Sequence, residues 1–348
     1  MRTHNLLLLF LGLLCSCKSP STPKTFQIDA PTYNTFPVNA SIRAIEAIDE
    51  LNMWFAAGKG LFGYTEDGGK NWIQDSIRIG DKPLEFRGIA ITDAAVFLLG
   101  TGSPAHLLRS ENKGKSWEVV YSESLPTTYY NSLKFWDEEE GIAVGDPTDG
   151  CLSVIITRDR GKSWQKLSCE SLPEAAEGEA GFAASNTNIA LAGDHVWLAT
   201  GGAKARIIHS SDRGENWEVF DTPIIQGRQM TGIFSVDFLD EKHGIIFGGD
   251  WEKQEAQQKT KAITKDGGKT WRLVSNGDKP GFRSCVQYVP QSKGKGIVAV
   301  GSPGISYSSD SGESWTNLND EGYYTIRMTK SGNAAWLAGK NRIMKMSW

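Results

Sequence analysis

The sequence predicts an all-β protein, a seven-bladed β-propeller with four-stranded blades. Two observations carry that expectation. An eight-residue pattern, Ser/Thr-x-Asp-x-Gly-x-x-Trp, occurs six times, and its tryptophans recur every 44 to 54 residues. That interval is the length of one four-stranded blade, a unit that buries its apolar faces only against neighbouring copies. Composition agrees, since 38 glycines and 12 tryptophans in 348 residues suit short strands joined by tight turns. With 39% hydrophobic residues the chain can fill a core, and a net charge of −4 leaves no footprint for nucleic acid.

The N-terminus reads as an export signal over residues 1–16. Arg2 supplies the charge and Leu6 to Leu14 an uncharged apolar run too short to span a bilayer. The run ends in Leu14-Cys15-Ser16-Cys17, which resembles the bacterial lipobox and makes Cys17 the lipidation site. Residues 17–24 then form a polar, proline-containing tether, and 25–348 the propeller. The expected location is the cell envelope, anchored by lipid at the outer membrane or facing the periplasm, with Lys18 after the acceptor favouring the outer membrane.

The six copies run Thr65–Trp72, Ser110–Trp117, Thr157–Trp164, Ser210–Trp217, Thr264–Trp271 and Ser308–Trp315. Their third positions are Asp67, Asn112, Asp159, Asp212, Asp266 and Asp310. Each position has a physical reason. The glycine takes a backbone conformation costly to other residues, and the carboxylate or amide accepts turn N–H bonds. The hydroxyl adds another bond, and the tryptophan opens the outgoing strand and fills space between sheets. A constellation repeated in every unit reads as architecture, not catalysis.

Upstream of each copy lies a second phrase, clearest in Ser132 to Asp146 and Ser235 to Asp250, giving two strands joined by an acidic turn. After the last copy the chain supplies three strands without a box. The missing outer strand of a seventh blade is expected from residues 25–31, which resemble the strand after Trp217. A ring left open would expose an unpaired edge.

The periodic boxes resemble those of the BNR, or Asp-box, propellers, and especially the photosystem II assembly- and stability-factor-like family. The resemblance covers residues 25–348 and implies a non-catalytic module that assembles or stabilises other proteins. The lipobox departs from a photosynthetic context, so no pigment or photosystem role is carried over.

Candidate ligand residues gather where the inner strands begin. Arg43, Arg87 and Arg283 occupy equivalent positions, and arginine forks at the channel mouth suit carboxylates or other anions. Tyr129, Tyr130, Asn131, Asp146, Arg228, Met230, Asp250, Trp251, Tyr323 and Tyr324 are expected on the same face. The plainer reading has the arginines satisfying loop carbonyls and neighbouring acids. The expected ligand is a protein partner, an anion or a carbohydrate, bound by a monomer.

Two other functions compete. A sialidase-like or other glycan-active hydrolase would use Arg43, Arg228, Arg283 and Tyr324 in the order that family uses its arginines and tyrosine, although its Arg-Ile-Pro run is absent. A carbohydrate-binding or receptor module would use the aromatics without an acid pair. No catalytic residue, cofactor or metal site is assigned. Gly100 to Ala105 matches a dinucleotide fingerprint, but a strand follows it rather than a helix. The five histidines lack ligand spacing.

Cys151 and Cys169 flank the third box within one residue of facing register, which predicts a disulfide in an oxidising compartment. A one-residue slip would instead leave two thiols on opposite faces. Cys285 is expected as a buried free thiol.

Overall fold

The computed structural model describes residues 27–348. The signal, the tether and Cys17 lie outside the described residues. Strands dominate, interrupted by three single 3-10 turns.

The strands form six blades, not the expected seven. Four are four-stranded. Phe86–Ile91, Val96–Gly100, Ala105–Ser110 and Glu118–Glu123 make one, and Tyr130–Phe135, Gly141–Thr148, Cys151–Thr157 and Gln165–Lys166 the next. Ile189–Ala192, His195–Ala199, Arg206–Ser210 and Glu218–Asp221 make a third, and Cys285–Tyr288, Ile297–Gly301, Gly304–Ser308 and Thr316–Asn319 a fourth. A fifth, six-stranded, joins Thr231–Phe238, Gly244–Asp250, Lys261–Thr264 and Arg272–Leu273 to the short pieces Gly201–Gly202 and Glu179–Ala180.

The remaining six-stranded sheet accounts for the corrected count. Its order is Thr325–Met328, Ala334–Ser347, Thr32–Ala47, Met53–Ala57, Leu61–Thr65 and Ile73–Ser76. Thr32–Ala47 is one unbroken strand of 16 residues. Its first part pairs with the C-terminal strand, from Thr32 opposite Ser347 to Pro37 opposite Arg342. Its second part pairs with Met53–Ala57. The C-terminal strands therefore share a sheet with the first box instead of standing as a separate blade. The pairing falls on 32–37 and on Ser41 opposite Lys340; of the expected 25–31, the described residues 27–31 lie outside any strand.

Burial follows position within each sheet. The middle strand Val96–Gly100 is buried throughout, whereas the outer strand Ile73–Ser76 is exposed throughout. Apolar clusters fill the space between neighbouring sheets, as where Trp54 and Phe62 pack with Ile89, Leu98 and Leu108. The inner strands are different, because Asn131, Ser132, Thr231, Ser235 and Thr325 are buried and polar. Buried polar groups need partners, and the channel supplies them.

Each box closes the turn between the two outer strands of its unit. In the first, Thr65 Oγ1 donates to Asp67 Oδ1 at 2.9 Å and accepts from Gly69 N at 2.9 Å. Asp67 Oδ1 accepts from Asn71 N at 2.9 Å, and the Trp72 indole donates to Gly69 O at 3.0 Å. Asn112 reproduces the key bonds, its Oδ1 accepting from Ser110 Oγ at 3.0 Å and from Ser116 N at 2.9 Å. The box glycine is left-handed in every copy, with φ between 71° and 93°.

Cys151 and Cys169 are joined, with Cα atoms 5.5 Å apart. Cys169 sits in the single turn Cys169–Ser171 rather than on a strand. Cys285 is a buried free thiol.

Candidate functional site at the channel mouth

The channel is crossed by its own chain. Beyond the blade that ends in Gln165–Lys166, residues 182–188 leave the rim and run through the centre before entering Ile189–Ala192, with Ser185, Asn186, Thr187 and Asn188 at most 2% exposed. Asn186 Nδ2 donates to Ile89 O and Asn186 Oδ1 accepts from Leu133 N, both at 2.9 Å. Ser185 Oγ donates to Ser284 O at 2.7 Å, and Ser185 O accepts from Thr325 Oγ1 at 2.9 Å. Thr187 Oγ1 donates to Ser235 Oγ at 2.8 Å. This one segment satisfies the polar inner strands of sheets far apart in sequence. It also gives the channel a floor.

On the mouth side of that floor, Arg43 donates to Ala184 O at 3.3 Å and lies 4.0 Å over the Tyr324 ring. Burial and then the nearby Arg87 charge push the Arg43 pKa down, while Tyr324, Tyr129 and Glu85 act in the opposite sense. Arg87 pairs with Glu85 at 3.2 Å, is 17% exposed, and has its Nε and Nη1 buried without a hydrogen-bond partner. The opposite wall is aromatic. Phe182 stacks on Phe234 at 3.8 Å, Phe234 meets Phe282 edge-on at 4.7 Å, and Phe282 meets Trp251 at 5.6 Å. Phe182 and Trp251 keep exposed surface.

The structure brings together Arg43, Arg87, Tyr129 and Tyr324, but not every residue expected there. Arg283 is 4% exposed and turns sideways, its Nη2 donating to Ser306 Oγ at 2.8 Å. The expected three-arginine level is thus two arginines, because the third guanidinium is drawn between strands. Tyr130 is fully buried, its hydroxyl donating to Glu123 at 2.8 Å, and belongs to the core between sheets. Tyr323 is likewise buried. Asn131 is buried and donates to Asp146 Oδ1 at 2.9 Å. Gly181 N, at the start of the crossing segment, donates to the same oxygen at 3.0 Å, and burial raises the Asp146 pKa. Asp250 is 2% exposed and bound by Arg228, so that arginine is occupied. Among the described residues no His, Cys, Asp or Glu cluster is arranged to hold a metal. No helix among them is long and apolar enough to cross a membrane.

Below the floor lies a charged level absent from the sequence reading. Arg327 donates to Glu46 at 3.1 Å and to Asn186 O at 3.1 Å. Asp237 accepts from Tyr288 N at 2.7 Å, and burial pushes its pKa up to about 6 against the opposing pull of that bond and Lys134. Burial and the adjacent Arg327 push the Lys134 pKa down. Interval length gave no signal for the crossing segment, since Trp164 to Trp217 spans 53 residues and the next interval, Trp217 to Trp271, spans 54.

These features define an all-β propeller with a floored channel and a cationic, aromatic mouth. No family model matches the chain, and no curated protein does. Solved structures do. One described as YCF48 bound to D1 peptide superposes with a TM-score of 0.67 at 16% identity, covering 93% of this chain and 99% of that one. YCF48 from Cyanidioschyzon merolae gives 0.63 at 14% identity, covering 90% and 98%. A GH74 xyloglucanase from Xanthomonas campestris gives 0.63 at 15% identity, covering 89% of this chain but 53% of the enzyme. At these identities the likeness is one of fold.

Proposed function

We propose that the protein is a non-catalytic scaffold that captures a segment of a partner protein at the channel mouth. A carboxylate of that segment meets Arg87 and Arg43, and an apolar side chain lies on Phe182 and Trp251. The carrying observation is Arg87, whose Nε and Nη1 are buried and unpartnered. A buried donor without an acceptor costs about 1–3 kcal/mol, which a ligand oxyanion recovers. The neighbour solved with a D1 peptide supports a peptide ligand. The xyloglucanase neighbour supports the glycan alternative. On the acid side, Glu85 is paired with Arg87 and Asp250 is bound by Arg228, so neither stands free to act as an acid or base.

The test is binding of a library of acidic peptides, measured by fluorescence polarisation, with the double variant Arg43→Gln/Arg87→Gln in parallel. The double variant is expected to lose affinity by at least about tenfold while its melting curve stays in place, the scale of a charge-assisted bond. Xyloglucan oligosaccharides and sialosides are expected to be left intact. Turnover of either above background, or unchanged peptide affinity in the double variant, overturns the proposal.

A further inference from the structure

Arg283 carries a second site, away from the mouth. It lies just before the inner strand Cys285–Tyr288, and its side chain runs sideways to the third strand of the same sheet. Gly301 permits that path, because a Cβ there would sit 3.2 Å from Arg283 Cδ and 3.1 Å from its Cα. The guanidinium reaches the wall of a cavity of about 220 Å³ that Lys279, Ser306 and Asn317 also line. Its Nη1 donates to Phe282 O and its Nη2 to Ser306 Oγ, both at 2.8 Å, and its Nε is buried without a partner. The residue is 4% exposed.

A second buried cation stands behind it. Lys261 is 1% exposed and donates to Asp278 O and Pro280 O, both at 3.0 Å, which holds the loop walling the cavity. Neither cation has a carboxylate within ion-pair distance among the described residues. Burial pushes Arg283 down to about 10 against the opposing pull of Glu255, and burial with the Arg283 charge pushes Lys261 down to about 8 against that of Asp278, so in both desolvation outweighs the nearby acid. Two buried cations held by hydroxyl and carbonyl oxygens, with no carboxylate in direct contact, are costly, and an anion in the adjacent cavity that touches Arg283 relieves that cost.

We infer that this lateral cavity binds a small monocarboxylate, of the size of one amino-acid residue, with its carboxylate on Arg283. The rim sets the charge. Glu255 and Asp320 outnumber Lys279 in the lining, so with Arg283 counted the cavity is neutral overall and a dianion is disfavoured. The site stands apart from the mouth reading, since none of the proposed ligand residues there, Arg43, Arg87, Phe182 and Trp251, lines this cavity.

The experiment titrates the 15N-labelled chain with N-acetylglycine and, separately, with inorganic phosphate. The readout is the indole cross-peak of Trp315, which also lines the cavity, assigned through Trp315→Phe. N-acetylglycine is expected to shift that peak saturably and phosphate to leave it in place. Arg283→Gln is expected to weaken the response at least tenfold, and Arg43→Gln/Arg87→Gln to preserve it. Should Arg283→Gln fail to fold, Ser306→Ala, which frees the guanidinium from its orienting bond, is expected to weaken the response severalfold. A linear or absent shift, an equal response to phosphate, or full retention in both cavity variants overturns the inference.

Discussion

The box turns at the periphery and the segment crossing the channel face the same problem, unpaired backbone groups, and solve it in opposite ways. A box turn is local. Thr65, Asp67, Gly69, Asn71 and Trp72 satisfy one another within eight residues. The hydroxyl, carboxylate or amide, and glycine bonds recur in every unit, whereas the indole bond is made by Trp72, Trp164, Trp217 and Trp315 but not by Trp117 or Trp271. The crossing segment is unique, and its partners lie far off in sequence: Ile89, Leu133, Ser235, Ser284 and Thr325. Loss of one box is therefore expected to be felt in one unit. Loss of the crossing segment is expected to be felt everywhere.

The sharpest way to break that contrast is Asn186→Ala. The asparagine has φ 58°, a left-handed conformation it tolerates better than alanine, and its amide serves main-chain groups of two sheets. Two buried groups left unpaired and the backbone penalty together amount to about 3–5 kcal/mol. A fall in Tm on the order of 5–10 °C is expected. A variant melting within a degree of the parent would reduce the crossing segment to a passive loop.

Below the floor the same contrast appears in pH. In the Asp212 box, burial pushes the carboxyl up but bonds from Asn216 and Ser210 prevail and hold it at about 2. Its contribution is present above the ordinary aspartate range and fades as pH falls toward 2. Asp237 has the opposite sign, because its pKa is raised to about 6 and the folded state holds the proton more tightly than the unfolded one. Stability from this group is present below about pH 4 and is lost as pH rises through about 6. Asp237→Asn is expected to gain about 1–3 kcal/mol at pH 7 and to flatten the dependence between pH 4 and 6. Denaturant midpoints at pH 4.5 and 7 check this, and parallel profiles for parent and variant refute it.

The smallest effect is expected at the one box with an amide in place of aspartate at its third position. Asn112 Nδ2 donates to Ser116 Oγ at 2.8 Å, whereas in two other boxes Ser163 and Ser314 donate to an aspartate at 2.6 and 2.5 Å. Asn112→Asp reverses that bond and makes it charge-assisted, for a gain of a few tenths to about 1 kcal/mol. A calorimetric Tm raised by about 1–2 °C is expected. A lowered Tm would show that the box tolerates its amide for a reason beyond the turn.

What was legible in the sequence follows this division. Box turns, strand order and the fold class could be read because local hydrogen bonds and alternating burial leave a periodic trace. Arg43, Arg87 and Tyr324 could be placed together because equivalent strand starts share a level. Arg283 and Tyr130 occupy such positions too, yet neither reaches the mouth, because register fixes where a backbone lies and packing decides where a long side chain turns.

By itself, then, the sequence determined the repeated unit and its turns, whose partners lie within a few residues of one another. Tertiary structure decided the rest. Pairing of the one strand Thr32–Ala47 with the C-terminal strand on one side and Met53–Ala57 on the other made six blades where the motif arithmetic indicated seven. The crossing segment, the charged level beneath it and the cavity beside Arg283 arise from contacts between residues dozens to hundreds of positions apart. Such contacts leave no period in a single chain, and they form only once the ring brings their partners within bonding distance.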